Sequence, residues 1–360
     1  MPNTYIIAEA GVNHNGSLEI ARELIDAACE AGADAVKFQT FKTEKTISKK
    51  APKAEYQMSL TDGNETQYDM VKKLELDEKA HYELASYARS KGIKFLSTAF
   101  DIESVDLLVA LGVDVLKIPS GEVTNAPLML KISSAGLPII ISTGMCTLGD
   151  IEQALGVVAF GYLKMDRPGI ENFRTAYFSK EGQKILKEKV TLLHCTTEYP
   201  APLEEVNLKA MLTMKEAFGL PVGYSDHTKG INVSIGAAAL GAVLIEKHFT
   251  LDKNMAGPDH QASLEPDELK AMVTGIREVE KALGNAQKLV SASEGKNMDI
   301  ARKSLTAFQD IKTGDVFTET NVIVMRPGSG ISPMHYWELI GKQASKAYEK
   351  DDLISFPEIY

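Results

Sequence analysis

Short runs of β-branched and other apolar residues recur through the 360-residue chain, at 5–8, 35–38, 94–97, 115–118, 139–142, 190–194, 222–224 and 243–247. Behind each comes a segment whose apolar positions return every three or four residues, the spacing of a helix with one buried face. After the first run, Leu18, Ala21, Leu24, Ile25 and Ala28 fall on one such face, and Ala31-Gly32-Ala33 closes it before the next run begins. Similar junctions at Lys91-Gly92-Ile93, Leu111-Gly112-Val113, Ala135-Gly136-Leu137 and Phe218-Gly219-Leu220 place a residue suited to a left-handed helix cap just ahead of a buried strand. Alternating strands and helices predict a parallel sheet. Eight units within about 250 residues predict an α/β protein of the closed (β/α)8 TIM-barrel class, rather than an open doubly wound sheet.

Two spacings exceed the usual loop. Residues 39–72 follow the second strand, where long connections tend to be lids, whereas 161–189 follow a helix, which predicts decoration on the bottom face of the barrel. The pattern predicts a barrel over 1–284 and, where the chain turns polar, a linker over 285–297. The remaining 298–360, with turns such as Lys312-Thr313-Gly314-Asp315, reads as a small loop-rich module.

Composition narrows the possibilities. At 44% hydrophobic and 24% charged the chain can bury a large core, and its formal net charge of −10 and pI near 5.3 argue against nucleic-acid or anionic-membrane partners. Any anionic ligand must therefore be held by locally placed cations. Three cysteines are too few and too scattered for a disulfide framework. The start carries no basic segment followed by an apolar core, and no apolar run approaches the roughly 20 residues needed to span a bilayer, so a soluble cytoplasmic protein is expected.

In a barrel of this class, polar residues at strand ends face the active site. That filter selects Glu9, Lys37, Gln39, Lys117, Ser120, Glu122, Ser142, Thr143, His194, Thr196, Thr197, Ser225, Asp226, His227 and His248. His227 and His248 end the last two strands and could share one divalent cation with open positions, unless they are merely hydrogen-bonded core histidines. Lys37 and Lys117 end apolar strands, where a lysine is costly without an anion; they could clamp phosphate or carboxylate, form a Schiff base, or pair with a core carboxylate. Ser142-Thr143-Gly144 offers hydroxyls and backbone N–H groups at a helix start, a setting suited to phosphate.

These residues sit inside longer strings: Ile7-Ala8-Glu9-Ala10-Gly11-Val12-Asn13-His14-Asn15-Gly16, Lys37-Phe38-Gln39-Thr40, Lys117-Ile118-Pro119-Ser120-Gly121-Glu122, His194-Cys195-Thr196-Thr197-Glu198-Tyr199-Pro200, Tyr224-Ser225-Asp226-His227, Glu246-Lys247-His248-Phe249-Thr250 and Gly257-Pro258-Asp259-His260. In order and over nearly the whole length, the chain resembles the bacterial sialic acid synthases, which include N-acetylneuraminate synthases and the related legionaminic acid synthases. Its end, with Arg326-Pro327-Gly328-Ser329-Gly330, resembles their antifreeze-like (SAF) domain. The resemblance implies condensation of phosphoenolpyruvate with the open-chain form of an N-acetylated mannose-type sugar. N-acetylmannosamine, giving N-acetylneuraminate, is placed slightly ahead of the 2,4-diacetamido-2,4,6-trideoxymannose that gives N,N'-diacetyllegionaminic acid. It further implies Lys37, Lys117, Ser120, Ser142, Thr197 and Ser225 around phosphoenolpyruvate, with Thr197 standing where many relatives carry asparagine. Gln39, Glu122, Tyr199, Asp259 and Arg326 would surround the sugar, and Glu9, Glu122, His227 and His248 would carry catalysis. His227 and His248 would bind Mn²⁺, or Mg²⁺ or Co²⁺, and Arg326 would come from the partner in a domain-swapped homodimer. A Schiff-base aldolase and an inert barrel bearing a glycan-binding module are the competing readings.

Overall fold

A computed structural model describes residues 3–53 and 65–355, in two compact units, Met1–Gly284 and Asn285–Tyr360. In the first, eight parallel strands close in chain order: β1 (Tyr5–Gly11), β2 (Ala35–Thr40), β3 (Lys94–Ala99), β4 (Leu116–Ile118), β5 (Ile139–Ser142), β6 (Val190–His194), β7 (Val222–Asp226) and β8 (Leu244–His248). All eight coincide with the apolar runs. The helix Leu18–Ala31 buries Ala21, Leu24, Ile25 and Ala28 and ends at Gly32, whose φ of 81° needs a residue without Cβ.

Alternation along each strand builds the interior in layers. Ile7, Ala35, Leu96, Ile140, Leu193 and Leu244 form an apolar plug, with Tyr5 and Val115 packed on it. Two residues further along the strands lie Glu9, Lys37, Thr98, Lys117, Ser142, Ser225 and Glu246. The plug therefore floors a polar layer. Positions of opposite parity, such as Ile245, face the helices and join the larger core. Lys247 and Asp226, both fully buried, pair at 3.1 Å in this outer layer, and Asp226 also accepts from Thr228 N and Ser234 Oγ.

Three expectations are corrected or bounded. The connection before β6 contains two helices, Ile170–Phe178 and Lys180–Lys189, and contributes none of the residues that line the strand-end cavity. The first packs on the outer side of helix Leu148–Tyr162, where Phe173 meets Phe160 edge-on at 5.1 Å. Gly156 supplies the room for this approach: a Cβ there would stand 2.9 Å from the Phe173 carbonyl oxygen, while Ile170 and Phe178 stay exposed. Likewise, 285–297 is not linker throughout, because Ser291 and Glu294 form a capping box that starts a helix over Ala292–Ala301. Of the candidate lid at 39–72, the helices Thr43–Thr46 and Gln67–Lys72 are seen, while 54–64 lie outside the described residues.

The second unit pairs two antiparallel strands, β9 (Ser304–Ala307) and β10 (Val322–Met325), over its own core of Leu305, Ile311, Phe317, Leu339 and Tyr348. No helix among the described residues is long and apolar enough to cross a membrane.

Removing one member of a dry ion pair strands the other. Lys247→Met is expected to lower unfolding free energy by about 3–5 kcal/mol in urea titrations, and Asp226→Asn combined with it to restore part of that loss.

Candidate active site

The polar layer is organised around Glu246. Lys117 Nζ donates to its two carboxylate oxygens at 2.9 and 2.8 Å, Ser225 Oγ donates at 3.1 Å, and Lys37 Nζ lies 3.5 Å away. Lys37 is also 2.8 Å from Glu9 and donates to Thr98 Oγ1 at 2.9 Å. Strand register sets the neighbouring contacts, with Glu9 opposite both Lys37 and His248, Thr98 opposite Lys117, and Ser225 opposite Glu246, while Lys37 and Lys117 reach Glu246 from strands not paired with β8. All four charged groups are buried. Burial alone would raise the Glu246 carboxyl, but Lys117 and Lys37 override it and hold the group well below the usual carboxylate range. Burial likewise works against the Lys37 ammonium, yet Glu246 and Glu9 more than compensate and leave its pKa raised. Glu9 is different: burial pushes it up to about 7 despite Lys37. Two lysines facing one firmly ionised carboxylate leave positive potential available to an anion.

Above the lysines lies a cradle for such a group. Gly144, just past β5, donates its N–H to Ser120 Oγ at 3.0 Å, and Ser120 Oγ is 3.2 Å from Cys195 Sγ. A Cβ on Gly144 would collide with Thr197 Oγ1 and approach Ser120 Oγ at 2.9 Å, so the absent side chain lets three loops converge. Lys37, Lys117, Ser120, Ser142, Thr197, Ser225, Glu9 and Glu246 line one cavity of about 180 Å³.

At its mouth, His227 and His248 face each other with ring centroids 5.6 Å apart, and Tyr199 stacks on His227 at 4.2 Å. His227 Nδ1 donates to the Thr196 carbonyl at 2.6 Å, which leaves the Nε2 lone pair toward the Tyr199 hydroxyl at 3.2 Å. His248 Nδ1 is buried without a hydrogen-bond partner. Burial holds both imidazoles below their ordinary pKa, and His227 adds to the effect on His248, so both are neutral as metal ligation requires. Among the described residues no group of three or more His, Cys, Asp or Glu is arranged for a cation. Two neutral imidazoles at a cavity mouth are the donor type that could hold a catalytic ion while leaving positions for water and substrate.

A second chamber of about 400 Å³ shares Gln39, Phe100, Tyr199 and His248 with the first and is also lined by Glu122 and Asp259. Asn125 Nδ2 donates to Glu122 at 2.6 Å, and burial raises Asp259 to about 6. A further hollow of about 430 Å³, beside Phe173 and Tyr177 on the barrel's outer surface, brings together none of these residues.

Strand-end reasoning thus assembled most of the site, with exceptions. His194 donates to the Val206 carbonyl, Thr196 Oγ1 to the Glu205 carbonyl, and Asp226 turns outward to Lys247. Arg326 belongs to the second unit, follows β10 and donates from Nε to the Ala301 carbonyl at 3.1 Å. Glu246 and Thr98 were missed. Parity would have found both, since each lies on the inward face of its strand, Glu246 two residues before His248 and Thr98 in line with Leu96.

Fold and site together define a (β/α)8-barrel enzyme with two buried lysines beside a pair of imidazoles at the strand ends. The chain belongs to the NeuB family, whose pattern matches residues 24–288, and an SAF domain follows at 302–359. It is 55% identical to an N,N'-diacetyllegionaminic acid synthase of Campylobacter jejuni over 98% of this chain and 99% of that one. It is 47% identical to an N,N'-diacetyllegionaminic acid synthase of Legionella pneumophila over 95% and 90%. Among solved structures, an N-acetylneuraminic acid synthetase of Leptospira borgpetersenii matches with a TM-score of 0.66 at 32% identity, over 82% of this chain and 90% of that one.

Gly144→Ala is expected to weaken binding of inorganic phosphate at least tenfold by titration calorimetry, with an unchanged circular dichroism spectrum, because the added methyl displaces Thr197 from the cradle.

Proposed function

We propose that the barrel condenses phosphoenolpyruvate with open-chain 2,4-diacetamido-2,4,6-trideoxymannose and water, giving N,N'-diacetyllegionaminic acid and phosphate. The observation that carries the reaction is the buried Lys37–Glu246–Lys117 array beneath the Ser120–Gly144–Thr197 cradle. The sugar is supported by the two diacetyllegionaminic acid synthases at 55% and 47% identity. They reverse the order in which the sequence reading placed N-acetylmannosamine first.

Phosphoenolpyruvate carries a carboxylate and a phosphate a few bonds apart, and the paired lysines with the hydroxyls of Ser120, Ser142, Thr197 and Ser225 match both. Lys37 and Lys117 act as fixed cations rather than Schiff-base nucleophiles, since each is committed to carboxylates. The methylene carbon of the enol phosphate forms a bond to the sugar's aldehyde carbon as the C=O π bond opens, its oxygen takes up a proton from solvent to become a hydroxyl, and the neighbouring enol carbon is left electron-deficient. Water then adds at the neighbouring carbon, and phosphate departs by C–O cleavage. Glu9 accepts the proton of that water, a task suited to a carboxylate whose pKa stands near neutrality. Glu122, Gln39, Tyr199 and Asp259 orient the sugar. His227 and His248 would hold Mn²⁺, with Mg²⁺ or Co²⁺ as substitutes; when bound, the ion supplies Lewis-acid polarisation of the aldehyde. The protein acts in the cytoplasm as a domain-swapped homodimer in which Arg326 of a second copy meets the sugar's N-acetyl group.

Phosphate release from phosphoenolpyruvate in the presence of Mn²⁺ tests the reading. Release with the diacetamido sugar, much slower release with N-acetylmannosamine, and loss on chelation are expected; release with neither sugar overturns it. The pH profile tests Glu9. Because burial has raised its pKa to about 7 in the free protein, its basic form grows as pH rises, so kcat/KM should climb through about pH 7. Glu9→Gln should abolish that limb and lower kcat by about 10²–10⁴.

A further inference from the structure

The geometry points to the apolar wall of the outer chamber as the element that selects a sugar whose sixth carbon is a methyl group. This deepens the sugar reading above and rests on it. Val12, Phe41, Val71, Leu74 and Phe100 pack as one cluster, Phe41 edge-on to Phe100 at 6.3 Å, and Met70 lines the same chamber. They come from a contiguous arc: Val12 follows β1, Phe41, Met70, Val71 and Leu74 lie in the excursion after β2, and Phe100 follows β3. Glu122, Tyr199 and Asp259 instead follow β4, β6 and β8. The chamber is therefore polar toward one part of the rim and dry toward another.

Bond formation requires the aldehyde at the inner cavity, beside His227 and His248. The four residues shared by the two cavities mark the passage between them, so the far end of the sugar chain, carbon six, enters the larger chamber. Among the described residues, the polar side chains that line the arc are Gln39, Thr46 and Gln67, and Gln39 alone of the three is shared with the inner cavity. A methyl at the end of the chain gains apolar contact with the wall. A hydroxyl placed there exchanges water for Val12, Phe41, Met70, Val71, Leu74 and Phe100, none of whose side chains carries a hydrogen-bonding oxygen or nitrogen, a penalty that apolar pockets convert into about 10²-fold discrimination.

The test compares kcat/KM for three sugars, 2,4-diacetamido-2,4,6-trideoxymannose, its 6-hydroxy counterpart and N-acetylmannosamine, in the unaltered enzyme and in Val71→Thr and Leu74→Asn. The unaltered enzyme should favour the 6-deoxy sugar over its 6-hydroxy counterpart by about 100-fold, and each variant should bring that ratio to tenfold or less. Equal use of both diacetamido sugars by the unaltered enzyme, or a ratio that neither variant changes, overturns the inference and leaves the sugar reading standing. Turnover of N-acetylmannosamine with neither diacetamido sugar overturns both. The ratio in the unaltered enzyme decides even if a variant fails to fold.

Discussion

Two ammonium groups inside a closed barrel are the constraint around which this protein is built. Lys37 and Lys117 are almost fully buried, and such charges persist in a dry interior only against a carboxylate. Glu246 meets that need by standing between them, with Ser225 on one oxygen and Glu9 attached through Lys37. The arrangement raises the Lys37 pKa, whereas at Lys117 burial outweighs the pull of Glu246 and leaves its pKa lowered. An arriving anion finds its counter-charges already desolvated and oriented, which is where preorganised electrostatics has its greatest effect.

The same constraint separates the roles of the two buried glutamates. Glu246 touches two cations and stays ionised, whereas Glu9 touches one and is lifted toward neutrality by its surroundings. One carboxylate is thus held ionised and the other has its pKa near neutral pH, although both occupy the same layer of the barrel. Around them, the apolar plug below and the imidazole pair above divide the interior into floor, anion layer and mouth. Each level is two residues further along the strands, so the period of the β-strand sets the vertical order of the chemistry.

The largest departures from sequence reasoning arise where the chain leaves that period. The helices before β6 and the helix over Ala292–Ala301 both occupy stretches that look irregular because their apolar residues are sparse. Phe173 shows what decides the first case: its carbonyl sits against Gly156 and its ring against Phe160, contacts that exist only when the two helices pack. Phe41, Met70 and Leu74 illustrate the same point for the outer chamber, since nothing in their local pattern marks them as chamber lining rather than core.

Local pattern by itself determined the eight strands, the helical faces between them, and which strand ends carry cations, hydroxyls and imidazoles, because those properties follow from backbone periodicity and from the cost of burying charge. It also determined family resemblance, through strings that lie almost entirely at strand ends. Tertiary structure alone decided that Glu246 neutralises both lysines, that Asp226 turns outward to Lys247, and that Glu122 and Asp259 share a chamber with an apolar arc. The physical reason is that a side chain's partner and its pKa depend on register between strands and on loops converging across the mouth. Neither quantity is written in the spacing of a single segment.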